Sequence, residues 1–132
     1  MQDDPVYADV VAEVAAFLEE RVACCVAAGI QEEGIVVDPG FGFGKTHMHN
    51  VELLANLRQL TVRNRPVLVG VSRKSTLGEL TRRKVSERLP ASVAAAVIAA
   101  MNGAQIIRAH DVQATVDALK VVQAVNELSE DS

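Results

Sequence analysis

Three short apolar runs limit what this chain can fold into more than any other feature, because each ends in a cluster of glycine and polar residues. Gly34-Ile-Val-Val leads into Asp38-Pro-Gly-Phe-Gly-Phe-Gly-Lys45. Pro66-Val-Leu-Val leads into Gly70-Val-Ser-Arg-Lys-Ser75, and Ala104-Gln-Ile-Ile leads into Arg108-Ala-His-Asp111. Runs of this length, alternating with helical stretches, read as parallel strands buried on both faces. In such folds ligand chemistry gathers beyond the C-terminal strand ends. Three successive strands deliver reactive groups to that edge, which is the layout of part of an active site.

The intervening segments carry helical periodicity. From Tyr7 to about Ala28 the stripe is Val10, Val11, Val14, Phe17, Leu18, Val22 and Val26, with Gly29 placed as a C-cap. A second helix is expected over about His49 to Leu60. A third, alanine-rich and apolar on nearly every side, is expected from about Pro90 to Asn102, and a fourth from about Gln113 to Glu127 before a frayed tail. The fold class is α/β, with helix and strand alternating and no linker between domains. A complete (β/α)8 barrel needs about 200 residues or more. At 132 residues, the chain reads as either a small open α/β unit or the tail half of a barrel.

Composition excludes several functions. The net charge of −4 gives no reason to expect nucleic acid as a partner. No run approaches the roughly 18 apolar residues of a membrane helix, and the acidic start Met1-Gln-Asp-Asp-Pro is unlike a signal peptide. Cys24 and Cys25 are adjacent and lack the spacing of a redox pair or a zinc site. The expectation is a cytoplasmic protein with reduced thiols.

The glycine loop resembles a phosphate loop only superficially. Gly44-Lys45-Thr46 ends like a Walker A motif, but Pro39 stands where the leading glycine belongs. The dinucleotide fingerprint fails as well, because Gly40, Gly42 and Gly44 alternate strictly. Such glycines let backbone lie close to a flat ligand or turn with positive φ. Asp38, ending a Val-Val run, is either an Asx-turn residue or a bidentate acceptor for paired N–H donors on a ligand. Ser72-Arg-Lys-Ser75 groups two cations and two hydroxyls, which suits an anion or a carbonyl oxygen. Alternation places Arg108 and His110 on one face, with Asp111 a candidate to orient the imidazole.

Together these segments resemble the three C-terminal signatures of the dihydropteroate synthase family, pterin-binding enzymes of folate biosynthesis inhibited by sulfonamides. The resemblance extends to Ser86-Glu-Arg-Leu89 and the alanine-rich helix after it. It implies a (β/α)8 barrel of which residues 1–132 are the C-terminal half, covering strands six to eight. It also implies joining 6-hydroxymethyl-7,8-dihydropterin pyrophosphate to p-aminobenzoate, giving 7,8-dihydropteroate and pyrophosphate. By match, Asp38 holds the amino-pyrimidine edge and Lys74 hydrogen-bonds the pterin. Arg108 stacks on the ring and, with His110, binds pyrophosphate, while Gly42, Phe43 and Ser75 border the aminobenzoate and sulfonamide site. Lys74, Arg108 and His110 are the implied catalytic set. The family's Mg2+ is expected on a ligand in the N-terminal half, and its homodimer through the C-terminal helices. The alternative is a non-catalytic half-barrel that binds pterin or serves as a dimerisation module.

Overall fold

The computed structural model describes residues 8–42 and 45–130. Helix α1, Val10–Ala27, starts where Asp9 accepts from the Ala12 N–H at 3.1 Å while Glu13 accepts from the Asp9 N–H. Positions four apart (Val10, Val14, Leu18, Val22), with Val11, make the buried stripe. Phe17, at its margin, is 60% exposed, so it does not belong to the expected core. The helix ends at Ala27 with Ala28 as C-cap, and Gly29 just beyond turns the chain at φ +103°, open to a residue without Cβ. The helix starts at Val10, three residues after the expected start at Tyr7, which itself lies outside the described residues.

Helix α2, His47–Ala55, begins two residues earlier than periodicity suggests, because Thr46 and His49 cap each other's backbone N–H groups, both at 3.1 Å. A 3-10 turn, Leu57–Leu60, completes this segment. Helix α3, Ser75–Thr81, was not expected, and it precedes α4, Leu89–Met101. Helix α5, Val112–Glu130, includes Ser129 and Glu130, the first two residues of the tail expected to fray; the other two lie outside the described residues. No helix among the described residues is long and apolar enough to cross a membrane.

The strands are short. β1, Leu68–Val69, pairs in parallel with β2, Ile106–Ile107, Leu68 opposite Ile106. The first apolar run contributes a single parallel bridge, Val37 to Val67, rather than the full strand expected. Its start is taken by a 3-10 turn, Glu32–Gly34, and Pro39 removes a donor just after it. Within that bridge both groups of Val37 are used: its N–H donates to the Pro66 carbonyl at 2.9 Å and its carbonyl accepts from Leu68 at 2.8 Å. The three segments lie side by side in chain order, all pointing the same way, as helical crossovers require.

All the helices that share the core lie against one face of this small sheet. Val37, Val67, Val69 and Val71 are buried there with Leu53, Leu57 and Leu60. The residues of opposite parity face away: Val36 is 45% and Ile106 40% exposed. α4 buries only Ser92, Ala95, Ala96 and Ala99, leaving Ile98 and Met101 outside, so it is covered on one side.

Candidate functional site

The site grows from strand parity. Asp38, Gly70 and Arg108 each follow by two residues an outward-facing position (Val36, Leu68, Ile106), so all three project from the open face at its C-terminal edge. The Arg108 N–H donates to Val69 at 3.0 Å, which sets Arg108 beside Gly70. Its guanidinium occupies the space a Cβ at Gly70 would need, with Cζ only 2.8 Å from that position. Any other residue there would push Arg108 aside. Lying across the glycine, the guanidinium reaches Asp38, Nη1 to Oδ2 at 4.0 Å. Both groups are substantially exposed, so the pair contributes little stability by itself and leaves both free to meet a ligand.

Asp38 Oδ1 accepts from the Gly40 N–H at 2.9 Å, closing an Asx-turn that starts the glycine loop. The two readings of Asp38 are compatible, because Oδ2 and the spare lone pairs stay available. Lys74 Nζ donates to the Phe41 carbonyl and Lys45 Nζ to the Gly40 carbonyl, so two ammonium groups tether adjacent carbonyls of the loop. Burial lowers the Lys74 pKa below the ordinary lysine value, Arg108 lowers it further, and Asp38 opposes both. Burial also lowers that of Lys45, with Asp38 opposing and Lys74 adding to the depression.

Lys74, Arg108 and His110 line one cleft of about 290 Å3 with Gly70, Ser72 and Ala109. Lys74 also walls a separate apolar cavity of about 40 Å3 bounded by Phe41, Gly42 and Leu77. Gly42 therefore faces the apolar side rather than the charged cleft. Ser75 is exposed at the first residue of α3 and lines neither space. Phe43 lies outside the described residues. Among the described residues no group of three or more His, Cys, Asp or Glu could hold a metal ion.

Two expectations are corrected. Asp111 does not orient His110; it binds Arg73, Nη2 to Oδ1 at 2.9 Å and Nε to Oδ2 at 3.3 Å. The partner of His110 is Ser72, whose hydroxyl lies 2.9 Å from Nδ1 and accepts the backbone N–H at 3.2 Å. Arg73, held by Asp111, is not among the cleft-lining residues, so Ser72-Arg-Lys-Ser75 supplies one cation to the cleft, not two. Sequence reasoning also missed Asn50. Buried in α2, it accepts from the Gly42 N–H and donates to Thr76 Oγ1, both at 2.9 Å, joining the glycine loop to α3. A polar residue at a core position of the α2 stripe was the available signal.

Residues 1–110 match the model of the family described as pterin binding enzyme. The chain belongs to that family. It is 54% identical over 94% of its length to the dihydropteroate synthase of Escherichia coli K12, and 53% identical over 95% to that of Neisseria meningitidis serogroup B. It spans 44% and 45% of those proteins, less than half of each. Among solved structures, Yersinia pestis dihydropteroate synthase in a sulfonamide drug complex superposes with a TM-score of 0.93 at 47% identity, covering 96% of this chain and 46% of that one. The Xanthomonas albilineans enzyme in complex with 7,8-dihydropteroate superposes with 0.90 at 53% identity, covering 92% and 47%. This pterin-binding α/β fold is therefore shared at high similarity along nearly the whole chain.

Proposed function

We propose that residues 1–132 are the C-terminal half of a (β/α)8 barrel, its strands six to eight, and that the barrel is a dihydropteroate synthase. The observation that carries this reading is the gathering of Asp38, Lys74, Arg108 and His110 at the C-terminal ends of three parallel segments. An all-parallel sheet is ordinarily covered on both faces, and here one face carries half-exposed Val36 and Ile106. Closure with further strands would turn that face into a barrel interior.

In this reading Asp38 accepts two N–H groups of the pterin's amino-pyrimidine edge, with Lys74 donating to the same ring system. Arg108, laid over Gly70, offers its flat guanidinium to the pterin face. As the pterin methylene C–O bond breaks, the electron pair leaves with pyrophosphate, and positive charge develops on the methylene. Arg108 and His110 at the cleft stabilise the departing anion. The amine of p-aminobenzoate then forms the new C–N bond and loses a proton. Gly42, Phe43 and Ser75 border that second substrate and sulfonamides that imitate it. Mg2+ would assist the pyrophosphate, and its ligand is placed in the part of the barrel outside this chain, since the described residues do not fit one. The exposed apolar residues of α5 (Val116, Val121, Val125, Leu128) support a homodimer through the C-terminal helices, and the setting proposed is the cytoplasm.

The test is reconstitution. The chain alone is expected to form no dihydropteroate, because losing even one electrostatic contributor costs about 10²–10³ in rate. Joined to the complementary first part of the Escherichia coli enzyme, it is expected to turn over, and Arg108→Ala to abolish that turnover. Full activity of the Arg108→Ala hybrid would sink the assignment of this site.

A further inference from the structure

Arg73 stands between Ser72 and Lys74, which both line the charged cleft, yet it does not line the cleft itself. Its backbone is left-handed, φ +57°, a conformation disfavoured for a residue with a side chain. Three groups, two from the start of α4 and one from the start of α5, hold it there. Ser92 Oγ, on α4 and 6% exposed, accepts from the Arg73 N–H at 2.9 Å. Arg88 Nη1 donates to the Arg73 carbonyl at 2.9 Å, and its Nε donates to the Arg83 carbonyl at 3.2 Å. The Arg88 guanidinium is itself seated against Gly78, where a Cβ would displace it. Asp111, at the head of α5, takes the Arg73 guanidinium on both oxygens.

The turn made at Arg73 sends the chain from Ser72, which meets His110, to Lys74, which meets Phe41. We propose that Arg73 is a positioning residue, clamped by Arg88, Ser92 and Asp111, that sets Lys74 on the cleft it shares with His110 and does not bind the anion itself. The anion half of this inference rests on reading the cleft as the pyrophosphate site. The clamp half rests on geometry alone. Without it, the Ser72-to-Lys74 turn keeps only the bond from the Lys74 N–H to the Val71 carbonyl, 3.1 Å, to hold a left-handed arginine, and Nζ of Lys74 loses its fixed approach to the glycine loop.

The test uses inorganic pyrophosphate as probe, with binding and the Lys74 side-chain titration followed by NMR on the 132-residue chain. The variants are Arg73→Gln, Asp111→Asn and the two combined. Arg83→Gln, which removes an exposed arginine paired with Glu87, controls for net charge. Each single variant and the double are expected to weaken pyrophosphate by the same factor, about two- to fivefold, because they break one shared contact. In both single variants the Lys74 midpoint should rise towards the ordinary lysine value as Nζ leaves Phe41. The charges facing Lys74 are Asp38, Lys45 and Arg108. A through-space charge effect would shift Lys74 in opposite directions in the two variants, so a common direction identifies positioning. Arg83→Gln should change neither readout. If Arg73→Gln weakens binding while Asp111→Asn, which frees the guanidinium, tightens it, Arg73 is a ligand and the proposal is overturned. If the wild-type chain does not bind pyrophosphate, the anion reading of the cleft falls. The titration then decides alone: a Lys74 midpoint unmoved, or moved in opposite directions, removes the clamp.

Discussion

The two faces of the sheet are built from the same kinds of residue and have opposite fates. Val37, Val67 and Val69 on one face are nearly inaccessible, while Val36, one residue before Val37, and Ile106 on the other face are about half exposed. Parity alone separates them. The helical face provides the stability, and the open face provides the groups that can do chemistry. Asp38 and Arg108 stand on the open side because each is an even step from an outward-facing residue. Their charge would be costly on the other face, where the core has nothing to pair with it.

The comparison can be broken most directly by truncation. Leu57→Ala, on the helical side, is expected to cost about 2–5 kcal/mol in urea unfolding, since the residue is almost completely enclosed. Ile106→Ser, on the open side, should cost no more than about 1 kcal/mol in the same experiment. Equal losses would mean that something covers the open face in solution.

Gly70→Ala sharpens the contrast between stability and site. The atoms nearest the new methyl all belong to the Arg108 guanidinium, the far end of an exposed side chain that can swing away. Stability should change by less than about 0.5 kcal/mol. Pyrophosphate binding should fall about fivefold or more as Arg108 leaves Asp38, an effect read by NMR titration. Retention of full binding would show that the seat of Arg108 over the glycine has no bearing on the cleft.

The smallest expected effect is on pH dependence. Burial depresses the folded-state pKa of both Lys74 and Lys45. Between each depressed value and the ordinary lysine value the unfolded chain binds more protons, so stability rises with pH across that interval. Below it both states are charged and the burial penalty applies in full. Urea midpoints taken at increasing alkaline pH should show a rise in the wild type that shrinks in Lys74→Met and again in the double variant with Lys45→Met. Identical profiles in all three would mean that neither ammonium is hindered by its surroundings. The rise should be modest, because both groups retain contact with solvent.

Much of this was legible in the residues. The stripe of α1, the apolar runs and the polar ends of the strands are local patterns, and Asp38, Lys74, Arg108 and His110 followed from position after a strand. Three things were not legible, each for a physical reason. α3 is seven residues long and buries only Leu77 and Gly78, too little periodicity to stand out from a loop. The first run forms one bridge because its flanks, a 3-10 turn and Pro39, stop pairing before the apolar pattern does. The allocation of Asp111 to Arg73 depends on a contact across 38 positions and on a left-handed arginine, neither of which leaves a mark in local composition.

The Arg108 side chain lies in volume that belongs, by backbone geometry, to position 70. The two positions thus share one slot. In a library that varies both and is selected for retention of the cleft, position 70 should accept only glycine as long as 108 remains arginine. Shortening 108 would reopen position 70 to side chains, at the loss of the guanidinium. Heredity at these two sites is joint: a lineage could leave the glycine only by leaving the arginine first.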